Sequence, residues 1–183
     1  MSRSFQVSAV DANVNCLLLN NLDGVDRIKF MGDWTRARVK ICADGAFKLL
    51  KELALDLNIE NVESIYPDFI VGDMDSLSHE DLAGYEKSGK GKVIRMKSQD
   101  MTDFEKCAIV YSEQVTISTD EWLLVYGAMG GDRLDHTMAA FHPLVKFNDL
   151  KMKIVYGPAF AFILPAGENK LSISVDIVEK KCG

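Results

Sequence analysis

Pro67-Asp68-Phe69-Ile70-Val71-Gly72-Asp73-Met74-Asp75-Ser76 runs from a short apolar strand candidate, Phe69–Val71, straight into a glycine and two carboxylates. Pro67 disfavours helix just before the strand, and Gly, Asp and Ser are residues of turns. An apolar run followed by acidic residues recurs at Cys42-Ala43-Asp44-Gly45, at Asp100-Met101-Thr102-Asp103 and at Arg133-Leu134-Asp135-His136. In a parallel α/β sheet the carboxyl ends of the strands share one edge, and ligands bind along it. Carboxylates gathered on one edge repel each other unless a cation sits among them. A hard ion such as Mg²⁺, bridging to phosphate oxygens, meets that need. The spacing therefore points to a magnesium-dependent enzyme that acts on a nucleotide.

Outward from this stretch, strand and helix candidates alternate. Val14–Asn20 and Arg38–Ala43 read as strands, and Ala46–Leu57 carries Leu49, Leu50, Leu53 and Leu57 at a helical period. Ser78 with Asp81 marks a helix start running to about Lys87. The turn Ser88-Gly89-Lys90-Gly91 then leads into a strand at Lys92–Met96. Thr102-x-x-Glu105 is a capping-box pattern opening a helix to about Ser112. Trp122–Tyr126 is a further strand, followed by the glycine-rich Gly127-Ala128-Met129-Gly130-Gly131. A helix from Leu134 to about Phe147 and a strand at Lys153–Tyr156 complete the series.

This alternation predicts an α/β domain over residues 14–156, a mainly parallel sheet with helices on both faces. After Gly157-Pro158 two strand-like runs, Phe160–Leu164 and Lys170–Val178, follow without a helix between them. Residues 157–183 thus read as the opening of an antiparallel β unit, too short to bury both faces of its own sheet.

The chain has 183 residues, 48% hydrophobic and 26% charged, which suits one domain with part of a second. A net charge of −6 argues against a nucleic-acid partner, which demands a basic face. No apolar run approaches the ~18 residues of a membrane span. Met1 to Asn13 lacks the basic-then-apolar order of a signal peptide. Cys16, Cys42, Cys107 and Cys182 are widely spaced and form no CxxC pair. Three of them sit within apolar runs or a predicted helix, which reads as buried free thiols and fits a reducing compartment. The expectation is a cytoplasmic protein with no membrane partner.

Asp73 and Asp75 stand at alternate positions, and extended backbone there would aim both side chains one way. The competing reading is a simple turn. Thr102 is the expected N-cap and Asp103 complements the helix dipole. Lys106, one turn on, can face the same edge to meet a phosphate or can pair with Asp103. Gly130-Gly131-Asp132-Arg133 combines a loop, a guanidinium suited to phosphate and a helix start. It lacks the Gly-Lys-Ser/Thr ending of a Walker A loop. His136 is a possible base or a structural hydrogen-bonding group. His79 and His142 carry no partner pattern.

These segments resemble the thiamine pyrophosphokinase (thiamine diphosphokinase) family. Its CADG, P-[DE]-x-I-x-GDxDS, D-x-T-D-x-x-K-C and GGR-x-D-[HQ] motifs match Cys42–Gly45, Pro67–Ser76, Asp100–Cys107 and Gly130–His136, in order. The resemblance covers residues 14 to 183 and implies transfer of pyrophosphate from ATP to thiamine, giving thiamine diphosphate and AMP. It implies Mg²⁺ on Asp73, Asp75 and Asp103, with Arg133 acting on the transferring phosphate. Asp44, Gly45, Ser76, Gln99, Asp100, Thr102, Lys106, Arg133 and Asp135 would line the nucleotide and phosphate site. Asp132 stands as an extra residue in the last motif. The family continues beyond Cys182-Gly183 into a β-sandwich that helps form a homodimer and the thiamine pocket. The resemblance therefore implies a C-terminally truncated chain, with a whole nucleotide site and a partial thiamine site. A non-catalytic nucleotide-binding fragment, or a pyrophosphokinase with another alcohol acceptor, remain the alternative readings.

Overall fold

A computed structural model describes residues 3–7, 11, 13–118, 121–130 and 134–173. Seven strands form one sheet: β2 (Val14–Leu18), β3 (Lys40–Ala43), β4 (Phe69–Gly72), β5 (Lys92–Arg95), β6 (Trp122–Tyr126), β7 (Met152–Tyr156) and β8 (Ala159–Ala161). Their order across the sheet is β5-β4-β3-β2-β6-β7-β8. All neighbours are parallel except β8, which turns back antiparallel on β7 with Tyr156 opposite Ala159. Strands covered on both faces read as continuous apolar runs. β2 and β6 accordingly are buried at every position.

The helices are α1 (Arg27–Arg36), α2 (Asp44–Asp56), α3 (His79–Ser88), α4 (Asp103–Gln114), α5 (Leu134–Ala139) and α6 (Phe141–Lys146). From β2 the chain steps outward through α1, α2 and α3 to β5. α4 then carries it back to β6, on the other side of β2. Right-handed crossovers place α1–α3 on one face and α4 on the other. α2 and α4 both pack on β3 and β4, which are thereby enclosed. The strand order reverses between β2 and β6, and Asn20 and Asn21 lie at that reversal.

Three features depart from the sequence expectations. α1 falls in a stretch left without an element. It is capped by Asp26, whose Oδ1 accepts from the backbone N–H of Ile28 and Lys29, and it buries Phe30, Met31 and Trp34. The expected helix from Leu134 to Phe147 is two helices, broken after Ala139. Pro143 explains the break: its ring clashes with the carbonyl four residues back, which belongs to Ala139. The third is a separate two-stranded sheet, in which β1 (Arg3–Val7) pairs parallel with β9 (Asn169–Ile173). Of the two runs expected to open an antiparallel unit, the first extends the main sheet as β8 and the second joins β1. Residues 174–178 of that second run lie outside the described residues, as does Cys182. Among the described residues no helix is long and apolar enough to cross a membrane.

Candidate active site

Three loops at the carboxyl edge bring the acidic residues together. Asp44 opens α2 immediately after β3, and Asp73 and Asp75 follow β4. One carboxylate oxygen from each of these three residues lies within 4.8 Å of the others. The alternation expected of extended backbone is not what joins them. β4 ends at Gly72, and Met74 takes a left-handed φ of 72°. The segment is a turn, and the backbone N–H of Asp75 donates to Asp73 Oδ1 at 3.2 Å.

Asp44 is buried and doubly held. Its Oδ2 accepts from the Met74 N–H at 2.8 Å and its Oδ1 from its neighbour Gly45, also at 2.8 Å. Gly72 makes this possible, since a Cβ there would stand 2.4 Å from Asp44 Cγ. Burial pushes the Asp44 carboxyl above the ordinary range, and the like charges of Asp103 and Asp73 add to it. Asp73 moves the opposite way. The Asp75 N–H is the largest influence holding its carboxyl below the usual value, with Gln99 and Lys106 contributing. Gln99 Nε2 donates to Asp73 Oδ2 at 3.3 Å, and Ser76 Oγ donates to Asp75 Oδ1 at 3.1 Å.

Asp103 stands beside the trio, at the first turn of α4. Thr102 and Glu105 form the capping box that starts the helix there. The Asp103 carboxylate accepts from Asn20 Nδ2 at 2.9 Å on one oxygen and from Lys106 Nζ at 3.3 Å on the other. Lys106 is buried. The sequence offered both a phosphate and Asp103 as its partner, and Asp103 is the contact present.

Asp100 is exposed near this edge, its N–H donating to Ser98 Oγ at 3.3 Å. Asp135 occupies the first turn of α5. Arg133, with Gly131 and Asp132, lies outside the described residues. Gly127 and Gly130, at φ of 77° and 114°, carry the chain out of β6. Asn20 was missed by sequence reading. The signal was its place at the carboxyl end of the first strand candidate, the edge where the acidic clusters were expected.

Hard carboxylate oxygens at this separation suit Mg²⁺, which takes few protein ligands and completes its shell with phosphates and waters. The class so defined is a mainly parallel α/β domain with three carboxylates gathered at its carboxyl edge. A family model described as thiamin pyrophosphokinase, catalytic domain, matches residues 30–156. The chain belongs to the thiamin pyrophosphokinase family. Thiamine pyrophosphokinase 1 of Oryza sativa subsp. japonica is 32% identical over 158 residues, covering 82% of this chain and 60% of the relative. Thiamin pyrophosphokinase 1 of Caenorhabditis elegans is 28% identical over 155 residues, covering 82% and 58%. The chain thus spans about 60% of the length of the curated relatives it matches. The yeast thiamin pyrophosphokinase crystal structure superposes with a TM-score of 0.71 at 21% identity, covering 95% of this chain and 70% of that one. For thiamin pyrophosphokinase from Candida albicans the TM-score is 0.60 at 26% identity, with 84% and 61% covered.

Proposed function

We propose that this chain is the nucleotide-binding part of a thiamine diphosphokinase, transferring pyrophosphate from ATP to thiamine with Mg²⁺. The observation that carries the reading is the convergence of Asp44, Asp73 and Asp75 in a chain of this family. In the reaction the thiamine hydroxyl loses its proton to solvent and its oxygen bonds to the β-phosphorus of ATP, while the bond from that phosphorus to the bridging oxygen breaks and AMP leaves with that oxygen. Mg²⁺, when bound, offsets the negative charge on the moving group and on the departing AMP. Asp73 and Asp75 would hold it with Asp44 or Asp103. Lys106, and Arg133 from the loop before α5, would meet phosphate oxygens. Gly45, Ser76, Gln99, Asp100, Thr102 and Asp135 complete the proposed nucleotide lining.

Residues 14–156 would form the catalytic domain and 157–183 the start of a thiamine-binding β domain shared in a homodimer. A cytoplasmic setting is supported by the buried free thiols of Cys16, Cys42 and Cys107.

The test incubates the purified chain with Mg²⁺, ATP and thiamine and follows AMP and thiamine diphosphate by chromatography. The wild type should form both products and Asp73→Asn neither. Mg²⁺-dependent ATP binding without product, lost in Asp73→Asn, would keep the nucleotide site and reject transfer by these residues alone. Neither binding nor turnover would reject the site.

A further inference from the structure

Asn20 lies two residues past the end of the central strand β2, and its side chain engages the site at both ends. Its Nδ2 donates to Asp103 Oδ2 at 2.9 Å, while Lys106 takes the other oxygen of that carboxylate. Its Oδ1 lies over Gly45, where a Cβ would stand 2.9 Å from it and 3.1 Å from Asn20 Cγ. Any other residue at position 45 would push against the amide. The glycine of the Ala43-Asp44-Gly45 turn therefore makes room for Asn20, just as Gly72 makes room for Asp44. An amide also suits the chemistry. It donates to one carboxylate without adding charge to a site that already holds Asp44, Asp73, Asp75 and Asp103. A carboxylate in its place would repel Asp103, and an ammonium would compete with the cation for it.

We infer that Asn20 is a positioning residue: it fixes the orientation of the Asp103 carboxylate toward the cation and nucleotide. The inference rests on the site proposed above. Asn20 acts through Asp103 and need not touch the ligand. Groups that orient metal-site carboxylates in this way typically matter tenfold or more to affinity.

Mn²⁺ in the presence of ATP is the probe, its bound fraction read by electron paramagnetic resonance. The wild type is compared with Asn20→Ala, Asp103→Asn, the double variant and Asp73→Asn. Asn20→Ala should weaken Mn²⁺–ATP binding about tenfold at an unchanged unfolding midpoint. In the Asp103→Asn background the same substitution should bring no further loss, because its target is already altered. Unchanged binding in Asn20→Ala, or losses that add fully in the double variant, would overturn the role. If Asp73→Asn binds Mn²⁺–ATP as the wild type does, the site itself is misassigned and Asn20 has nothing to position.

Discussion

Gly72 and Gly84 differ in what surrounds the missing Cβ. At Gly84, inside α3, nothing lies within 4 Å, whereas at Gly72 the nearest atoms belong to the Asp44 carboxylate. Gly84→Ala should stabilise the protein by up to about 1 kcal/mol through helix propensity. Gly72→Ala must drive the Asp44 side chain away from the two amides it accepts from. We expect a cost of about 1–3 kcal/mol in urea denaturation, with weaker Mn²⁺ binding. A Gly72→Ala variant with wild-type midpoint and Mn²⁺ affinity would show that the close approach does not seat Asp44. The sequence displayed each acidic residue, but not this dependence. Asp73 and Asp75 lie two apart in the chain. Asp44 reaches them only because β3 and β4 are neighbours and Gly72 leaves the space. Asn20 was harder still, since an asparagine after a strand carries no pattern until Asp103 is brought to it from α4.

Glu105 shows how one element holds the site for another. It closes the α4 capping box, accepting from the Thr102 N–H at 3.0 Å. It also accepts from Lys146 Nζ of α6 at 2.7 Å. Its side chain is buried, so α4, which carries Asp103 and Lys106, is tied to α6 through one carboxylate. Burial is the largest influence on that carboxyl and raises its pKa. The Lys146 and Thr102 hydrogen bonds outweigh it, and the net shift is downward. A carboxyl lowered on folding contributes stability that is fully present above its unfolded value of about 4.3. That contribution is lost as pH falls through the lower folded value. Glu105→Gln keeps a capping acceptor and removes the titration. Its stability should therefore fall less than that of the wild type between pH 7 and the acid limb, in urea melts across that range. Glu105→Ala loses both roles and should cost about 1–3 kcal/mol at pH 7. A wild-type acid limb in Glu105→Gln would rule out this group as its source. The capping box was legible because its residues are three apart. The link to Lys146 was not, since the Pro143 break that sets the direction of α6 went unread. α1 could have been read: Asp26 before Phe30, Met31 and Trp34 is a cap followed by a helical stripe, blurred by Gly32.

At the scale of the whole molecule, alternating strand and helix candidates sufficed for the parallel sheet, because periodicity and crossover handedness are local rules. What alternation does not reveal is how the chain before β2 is fastened. The pairing of β1 with β9 joins segments far apart in sequence, and Asp11, which follows β1 in the chain, is fastened by an ion pair. Lys153 of β7 and Asp11 are both buried and pair at 2.6 Å. The Lys153 Nζ also lies 4.6 Å from the centre of the Trp122 ring and 5.1 Å from that of Phe160. Burial is the largest influence on the lysine and lowers its pKa, against the opposing pull of Asp11. Removing one partner from a buried pair costs more than the pair contributes, commonly about 3–5 kcal/mol, because the other charge stays in the interior. Asp11→Ala should fall at or near that range in denaturant unfolding. The lysine of that variant should then favour its neutral form, so its deficit should shrink as pH rises toward the ordinary lysine value of about 10.4. Asp11→Leu with Lys153→Met keeps the Cγ branching at position 11 and the side-chain length at position 153, and removes both charges. That double variant should lie within about 1 kcal/mol of the wild type or above it. A mild Asp11→Ala, or a double variant as unstable as the sum of its singles, would mean that the ion pair does not fasten this segment to the sheet.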